Sequence, residues 1–395
     1  MVPTIAALGG QDEYLNHQIA NTFAVVGEAD HSWTEKVWFT LFCKSGGLQA
    51  NFGLGKYGNR GVVDGFAGVQ LGTSQRTVRA SSVMRAGLED MAVGPLRYQV
   101  IEPLKTLRLT VAANDAQPVS WDLTWTAHLP AFFEDRDLAI AGGRKSSDVV
   151  RYHQAGTVSG WIEIDGERIT VNPDEWSGFR DHSWGIREHV GAELADLPTD
   201  KPGAGSTGVL TSDYQFNWFV SQLTRPDGSR YELAYYFREF REPRGLQWFT
   251  GWINEADGGQ KPLLQVYPEL TYRKSDHGVL GGKIYVLQRG DGRKTIERVF
   301  EVEAIDTELG FRLNPAMYGA WKGHIHGAYK GENFLDGECI DDVNNPEKFA
   351  ANRRWEIRDR PLRIREGDAF GYADIESIVI GDWPAATFVE GPSDR

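Results

Sequence analysis

Short runs of β-branched and aromatic residues, separated by Gly, Asp and Asn, recur along the whole chain. Within these runs apolar and polar positions alternate, as is typical of strands with one buried face. In WIEIDGERITV the alternation flanks Asp165-Gly166, a dipeptide that favours a two-residue hairpin turn. Helical spacing is confined to residues 82–91 and 346–354. The pattern predicts an all-β chain of antiparallel strands with few short helices.

The length of 395 residues exceeds what one hydrophobic core usually holds, which favours two domains. Residues 191–208 are rich in Gly, Pro, Ala and Thr, a composition typical of a linker. We therefore expect one β domain over residues 1–195 and another over 205–395. Because few helices are available to cover sheet edges, each domain is expected to be an antiparallel β-barrel or β-sandwich.

Two segments, around Trp38-Phe39 and around Trp218-Phe219, resemble each other. In both, a Trp-Phe strand precedes a Gly-containing turn, a second strand and a bend marked by Gly and Arg. The likeness indicates either an internal duplication or the general similarity of hairpins in an aromatic-rich β protein.

The formal net charge is −13, and the acidic residues are spread along the chain. Such a surface repels polyanions, which argues against nucleic acid and anionic membranes as partners. Cys43 and Cys339 are the only cysteines and lack disulfide or zinc spacing, which favours a reducing, cytoplasmic setting. No basic leader and no apolar run of about eighteen residues is present, so no membrane span is expected. Composition leaves the oligomeric state open.

The stretch WSGFRDHSWGIREHV, residues 176–190, combines aromatic bulk with many titratable groups. In a regular strand Arg180, His182 and Trp184 share one face, and Asp181 lies on the other. A bulge at the flanking glycines would turn Asp181 and His182 the same way. An acid walled by aromatic rings would have a raised pKa and could act as a general acid. The alternative is a salt bridge that only braces the fold.

GFRDHSWGIRE resembles the Asp-His-Ser-Trp-Gly signature of the carotenoid hydratase (hydroxyneurosporene synthase) superfamily, which includes fungal kievitone hydratase. HSWTEKVWF and GLGKYGNRGVVDGF point to a bacterial branch of it. The resemblance implies two lipocalin-like (calycin-like) β domains with a hydrophobic pocket within or between them. It also implies an enzyme that adds water to an isoprenoid double bond, and related folds serve cyclases.

Acid-catalysed hydration needs a proton donor, a wall that tolerates a carbocation, and a held water. Asp181 is the first choice for the donor, with His182 to orient it or to handle the water. Aromatic rings stabilise a cation through their faces. The residues expected to bind the substrate are Trp33, Trp38, Trp176, Arg180, Trp184 and His324.

The stretch WKGHIHGAYKGENFLDGECIDD predicts a strand with His324 and His326 on one face and acidic residues nearby. These groups complete a metal site, or the two histidines lie opposite Asp181 and share its acid/base chemistry, with His326 as the catalytic residue, or they are ordinary surface or pocket-lining residues. The preferred interpretation is that neither a metal nor a cofactor is bound, because no third ligand is fixed by spacing. GLGKYGNRG lacks phosphate-loop spacing, and Asp64 is expected to make a turn.

Three functional hypotheses follow. The first is a hydratase, isomerase or cyclase that acts on a double bond of a terpenoid, steroid or polyketide-like molecule. The second is a non-catalytic lipocalin-like protein that binds a hydrophobic ligand. The third is a metal-assisted enzyme built around His324 and His326.

Overall fold

A computed structural model describes Glu13 and residues 22–23, 25–84, 91–141, 143–187, 189–191, 213–241, 246–290 and 294–390. The first part of the chain forms β1 (Trp33–Cys43), β2 (Leu48–Tyr57), β3 (Val62–Leu71), β4 (Ser74–Val83), β5 (Ala92–Val93), β6 (Leu96–Glu102), β7 (Thr106–Val111), β8 (Val119–Ala127), β9 (Phe132–Phe133), β10 (Asp137–Ala141), β11 (Arg144–Ile164), β12 (Glu167–Val171) and β13 (Trp176–Ile186). The second part forms β14 (Tyr214–Thr224), β15 (Arg230–Phe240), β16 (Leu246–Glu255), β17 (Gln260–Arg273), β18 (Val279–Arg289), β19 (Thr295–Ala304), β20 (Phe311–Arg312), β21 (Asn333–Ile340), β22 (Arg358–Glu366), β23 (Ala369–Ile380) and β24 (Ala386–Val389). Short 3-10 helices span Gly58–Arg60, Asn314–Ala316, Trp321–Gly323 and Pro346–Trp355.

The strands form two sheets. The first has the order β21-β4-β3-β2-β1-β13-β11-β8-β7-β6-β5 and curls into a half-barrel, so that Phe39 of β1 packs against Trp125 of β8. The second runs β16-β15-β14-β23-β22-β19-β18-β17 and closes into an eight-stranded barrel, because β17 also pairs with β16. The predicted all-β fold of two antiparallel β units is confirmed.

Local predictions can be compared with these elements. Asp165 and Gly166 form the hairpin turn between β11 and β12, both with positive φ, as the dipeptide predicted. The predicted helix at 346–354 is a 3-10 helix, whereas residues 85–90 of the other predicted helix and the linker residues 192–212 lie outside the described residues. None of the helices in the described ranges has the length and apolar character needed to cross a bilayer.

One strand belongs to a different sheet from its sequence neighbours. β21, from the second half of the chain, pairs antiparallel with β4 at the edge of the first sheet. Its backbone groups cover an edge that would otherwise be open to unwanted pairing. β21 thus crosses the predicted boundary between the two domains. The boundary itself, between residues 195 and 205, remains a prediction.

The two halves share one strand arrangement. β1 lies between β2 and β13, the last strand of its half, and β14 lies correspondingly between β15 and β23. Trp38 of β1 and Trp218 of β14 occupy matching places in these arrangements. The two indole rings meet edge to face, with centroids 5.3 Å apart. This correspondence supports the internal duplication over a chance likeness of hairpins.

The outer faces of the half-barrel and the barrel pack against each other. Trp38, Phe42 and Phe179 from the half-barrel are buried in one apolar cluster with Phe216 and Trp218 of the barrel. Separate apolar clusters fill the concave side of the half-barrel and the inside of the barrel. Each unit therefore keeps its own apolar core, and the contact between the units buries a third apolar cluster. Burial of such aromatic surface is strongly stabilising.

A buried histidine joins the two units. His153 of β11 is 1% exposed, and its Nδ1 and Nε2 atoms lie 3.1 Å from Glu134 and 2.5 Å from Glu232 of β15. Burial alone would lower the pKa of His153, but the two carboxylates raise it to about 10. The imidazolium therefore holds together two buried carboxylates from different units.

Replacing His153 with Asn is expected to lower the free energy of unfolding by about 3 kcal/mol or more, because it leaves buried carboxylates without their cation. The pKa of His153 is raised on folding, so this contribution is complete below about pH 6.5 and is lost as the pH rises toward 10. Urea unfolding of wild type and variant at several pH values measures both effects. His31→Asn, at an exposed histidine, is the matched control. An equal loss at all pH values would contradict the assigned charge.

Candidate active site

The strand β13 carries the residues that the sequence singled out. It pairs in unbroken register with β1 and with β11, so Gly185 causes no bulge and the side chains alternate regularly. Asp181 therefore points to the outer face, toward the barrel, while His182 points to the concave side of the half-barrel. The two predicted catalytic residues are not brought together.

Asp181 lies at the contact between the half-barrel and the barrel. Its side chain is 16% exposed, and among the described residues its one ion-pair contact comes from the Nε atom of Arg151 at 3.2 Å. Burial raises the pKa of Asp181, and the charges of Arg151, Arg187 and Lys36 oppose this shift. The carboxyl group is thus neither in bulk water nor held in a bidentate clasp. Trp176 and Trp184, which were expected to wall it, lie on the other face; Trp38, its partner in register on β1, lies beside it.

Glu376 of β23 is a second carboxyl group at the contact between the half-barrel and the barrel. It is the register partner of Trp218, as Asp181 is the register partner of Trp38, so the two acids occupy matching places in the two halves. Burial raises the pKa of Glu376 to about 7; Arg151 opposes this shift and the charge of Asp181 adds to it. We call the contact region formed by Lys36, Arg151, Asp181, Tyr318 and Glu376 the interdomain cleft.

A deeper carboxyl group, Asp359, lies beside Glu376. Asp359 is fully buried and accepts hydrogen bonds from Asn51 and, at 3.2 Å, from the indole of Trp38. Burial and the neighbouring Asp374 raise the pKa of Asp359 well above its usual range. Because neighbouring carboxylates that are removed from water repel each other, this group of acids retains a proton under conditions in which isolated acids are ionised.

A lysine and a histidine complete the polar network. Lys36, two positions from Trp38 on the same face of β1, donates to the hydroxyl of Tyr318 and lies 3.2 Å from Nε2 of His326. Burial lowers the pKa of Lys36 to about 7, and burial also lowers that of His326 to about 4. A neutral imidazole can accept the lysine hydrogen bond, and its Nδ1 lies 3.5 Å from Asp64. The structure therefore connects His326 to the surroundings of Asp181 through Lys36.

Asp64 does not make a turn, contrary to expectation. It lies within β3, is 1% exposed, and accepts a 2.7 Å hydrogen bond from the backbone N–H of Gly327. It thereby fixes the loop that carries His326. That loop is irregular rather than a strand, because glycines with positive φ at 323 and 327 interrupt the chain on either side of His324 and His326.

Two glycines of β2 allow aromatic side chains to pack closely beside the cleft. A Cβ atom at Gly53 would lie 2.3 Å from the ring of Phe66, and one at Gly55 would lie 2.7 Å from the hydroxyl of Tyr57. Gly53 and Gly55 are the register partners of Trp38 and Lys36. The spaced glycines of GLGKY therefore serve close packing beside these two side chains.

A small cavity of about 20 Å³, open to solvent, adjoins the interdomain cleft at Arg151. Arg151, Tyr236, Trp248 and Glu134 are among the residues that line it. Burial alone would raise the pKa of Glu134, but Arg151 and a hydrogen bond from His153 lower it to about 2. The cavity is therefore lined by charged groups, whereas the indole pair Trp38–Trp218 beside the cleft is buried.

The remaining predicted residues of the motif line the concave side of the half-barrel. His182 lies 3.0 Å from the hydroxyl of Tyr152 through Nδ1 and 3.0 Å from Glu35 through Nε2. Arg180 is buried, bonds to Gln154 and stacks near Trp125. Trp33, Trp176 and Trp184 share this side by register. Arg180, His182 and Trp184 lie on one face, as the alternation predicted.

His324 lies away from both groups. Its Nδ1 is 2.9 Å from Lys330, and its Nε2 is 3.4 Å from Asp336 of β21. Burial lowers the pKa of His324 to about 4. Among the described residues, no group of three or more His, Cys, Asp or Glu side chains is arranged to hold a metal ion.

Sequence reasoning missed Lys36, Glu376, Asp359 and Tyr318. The internal duplication carried one signal for Glu376. Trp38 matches Trp218, so the residue paired with Trp218 corresponds to Asp181, the residue paired with Trp38. Lys36 carried no such signal, because an alternating Lys in a strand is ordinarily solvated.

Three solved structures resemble this fold. A protein assigned as an AttH from Nitrosomonas europaea aligns with a TM-score of 0.51 and 14% identity, over 90% of this chain and 99% of its own. Kievitone hydratase from Nectria haematococca aligns with a TM-score of 0.47 and 12% identity, over 87% and 88%. CghA in complex with Sch210972 aligns with a TM-score of 0.48 and 10% identity, over 89% of each chain.

The likeness to the AttH structure shows a shared fold over nearly the whole chain. The superfamily and the bacterial branch that the motifs indicate remain predictions. A comparison with curated proteins gave no match. Residues 8–224, more than half of the chain, match a family of unknown function, DUF8625, and the chain belongs to that family.

Proposed function

We propose that this protein is an acid/base enzyme that protonates a double bond of a hydrophobic small molecule in the interdomain cleft. The proposal covers hydratase, isomerase and cyclase reactions. The observation that carries it is the pair of carboxyl groups, Asp181 and Glu376, which have raised pKa values and flank the contacting indoles of Trp38 and Trp218. Groups with perturbed pKa values in a cleft are typical of active sites.

The two acids suit different steps. Glu376, with a pKa of about 7, is the better donor at neutral pH. Asp181, with Arg151 beside it, is the better acceptor. The proton of Glu376 forms a C–H bond with one alkene carbon, and the π electrons leave a cation on the other carbon. Asp181 then takes a proton from an adding water in hydration, or from a neighbouring carbon in isomerisation.

Aromatic residues of the cleft support the cationic intermediate. The indole faces of Trp38 and Trp218 attract a cation by up to about 2 kcal/mol when water is excluded. The ammonium group of Lys36 already lies over the ring of Tyr318, 3.9 Å from the ring centroid. Lys36 and His326 form a proton store next to the two acids. Because the inside of the barrel is filled by its own apolar cluster, the substrate is assigned to the cleft rather than to the barrel interior.

Replacing Asp181 with Asn or Glu376 with Gln is expected to lower turnover by at least about 100-fold, since each change deletes one proton-transfer group and keeps the shape. Turnover is measured in D2O as deuterium incorporation into three probes: an acyclic isoprenoid alcohol, a steroid enone and a polyketide-type diene. Deuterium reports protonation whether hydration, isomerisation or cyclisation follows. Asp165→Asn, at an exposed hairpin turn, is the matched control and should retain the wild-type rate.

Quenching of tryptophan fluorescence by the same probes separates catalysis from binding. If wild type and both acid variants bind a probe and none incorporates deuterium, the protein is a lipocalin-like binder and the enzyme proposal fails. His182→Asn tests the concave side of the half-barrel and is expected to retain turnover. Loss of turnover in His182→Asn alone would move the site to that side.

Lys36 is expected to titrate near pH 7, because burial lowers its pKa by removing the ammonium group from water. NMR of protein labelled with ¹³C at the lysine ε-carbon follows each lysine through a pH titration. One resonance should shift near pH 7, well below the ordinary lysine value of about 10.4, and should be missing in Lys36→Met. A spectrum in which the resonance lost in Lys36→Met titrates with the exposed lysines would contradict the network.

A further inference from the structure

One end of the barrel holds a cavity that the proposed reaction does not use. It is small, with a volume of about 30 Å³, opens partly to solvent and lies where the turn after β17 meets β20, β22 and β23. Arg312, Arg358 and Arg360 line one side, and Val279, Ile375 and Val379 line another. Buried guanidinium groups facing an apolar wall are expensive unless a negative charge accompanies them.

Arginines outnumber carboxylates around this cavity. Arg273 and Arg358 share Asp276, Arg273 also lies 3.6 Å from Glu308, and Arg312 pairs with Glu356. Within the described ranges Arg360 has no carboxylate within ion-pair distance. Four guanidinium groups are therefore balanced by three carboxylates, which leaves one positive charge uncompensated.

Arg360 is the unpaired cation. It is 1% exposed, and its Nη1 donates to the carbonyl oxygen of Thr307 at 3.0 Å. Its Nε and Nη2 atoms, and Nη2 of Arg312, have no acceptor among the described residues. Arg312 and Arg360 are among the residues that line the cavity, and a guanidinium fork with free N–H groups matches the two oxygens of a carboxylate or phosphate.

A glycine leaves room for this guanidinium beside the turn. A Cβ atom at Gly278 would lie 2.3 Å from Nη2 of Arg360. Gly278 lies in the short turn after β17, between Asp276 and the start of β18. Burial lowers the pKa of Arg360 to about 9, and the charge of Arg358 adds to this shift. An anion beside Arg360 would relieve both effects.

We propose that this cavity binds the oxyanion group, carboxylate or phosphate, of a small molecule, with Arg360 as its main ligand and Arg312 beside it. The apolar wall of Val279, Ile375 and Val379 accommodates a short hydrocarbon portion when the ligand is a carboxylate. The site is separate from the interdomain cleft, because Arg360 points into the barrel while its neighbour Asp359 points out of it.

Isothermal titration calorimetry of the full chain with inorganic phosphate, acetate and hexanoate tests the proposal, with sodium chloride held constant. We expect saturable binding of at least one of these anions. Preference for phosphate identifies a phosphate site, and tighter binding of hexanoate than of acetate identifies an apolar carboxylate. Absence of saturable binding for all three would overturn the proposal.

Arg360→Gln is expected to weaken binding by at least about tenfold, since it removes a charge-assisted pair of hydrogen bonds. Arg365→Gln, at an arginine of the same strand outside the cavity, is the matched control and should bind as wild type does. Because Arg360→Gln could disturb the barrel, Gly278→Ala provides a second variant, which keeps every charge and fills the space before the guanidinium. Wild-type affinity in Gly278→Ala or in folded Arg360→Gln, checked by circular dichroism, would overturn the assignment.

Discussion

The contact between the outer face of the half-barrel and the outer face of the barrel is the constraint on which the rest of the structure depends. At its centre Trp38 and Trp218 meet edge to face, and beside them His153 lies between Glu134 and Glu232. An antiparallel sheet commonly has one face packed on its core and one face in water. Each unit by itself would therefore expose these rings and charges to water. Docking removes them from water together, so the ion pairs of His153 with Glu134 and Glu232 are buried.

Burial at this contact creates the chemistry of the interdomain cleft. Asp181, Glu376 and Lys36 are ordinary side chains whose pKa values move toward neutrality because water is removed from around them. The cations Arg151 and Arg187 limit the shift of Asp181, whereas burial and the charge of Asp181 raise the pKa of Glu376 to about 7. Two acids in matching places of a duplicated arrangement thus acquire different proton affinities, which suits a donor and an acceptor.

β22 separates the two polar regions of the second unit. Because side chains alternate along a strand, Asp359 points to the cleft while Arg358 and Arg360 point into the end of the barrel. One strand therefore places a buried acid on one face and buried bases on the other. The acid obtains hydrogen bonds from Trp38 and Asn51, and Arg358 obtains the charge of Asp276. Arg360 is the member for which the described residues offer no counter-charge.

The sequence by itself determined what depends on near neighbours. Alternation gave the strands and placed Arg180, His182 and Trp184 opposite Asp181, Asp165-Gly166 specified its hairpin, and the Trp-Phe pairs indicated two related halves. Only the tertiary structure decided which residues meet Asp181, because those contacts join distant parts of the chain: Lys36 and His326 are 290 positions apart. It also decided that residues 324–328 form a loop tied to Asp64 and that β21 joins the first sheet. These contacts follow from the docking of the two sheets. The free energy of docking is a sum over the whole interface, so it produces no local pattern in the sequence.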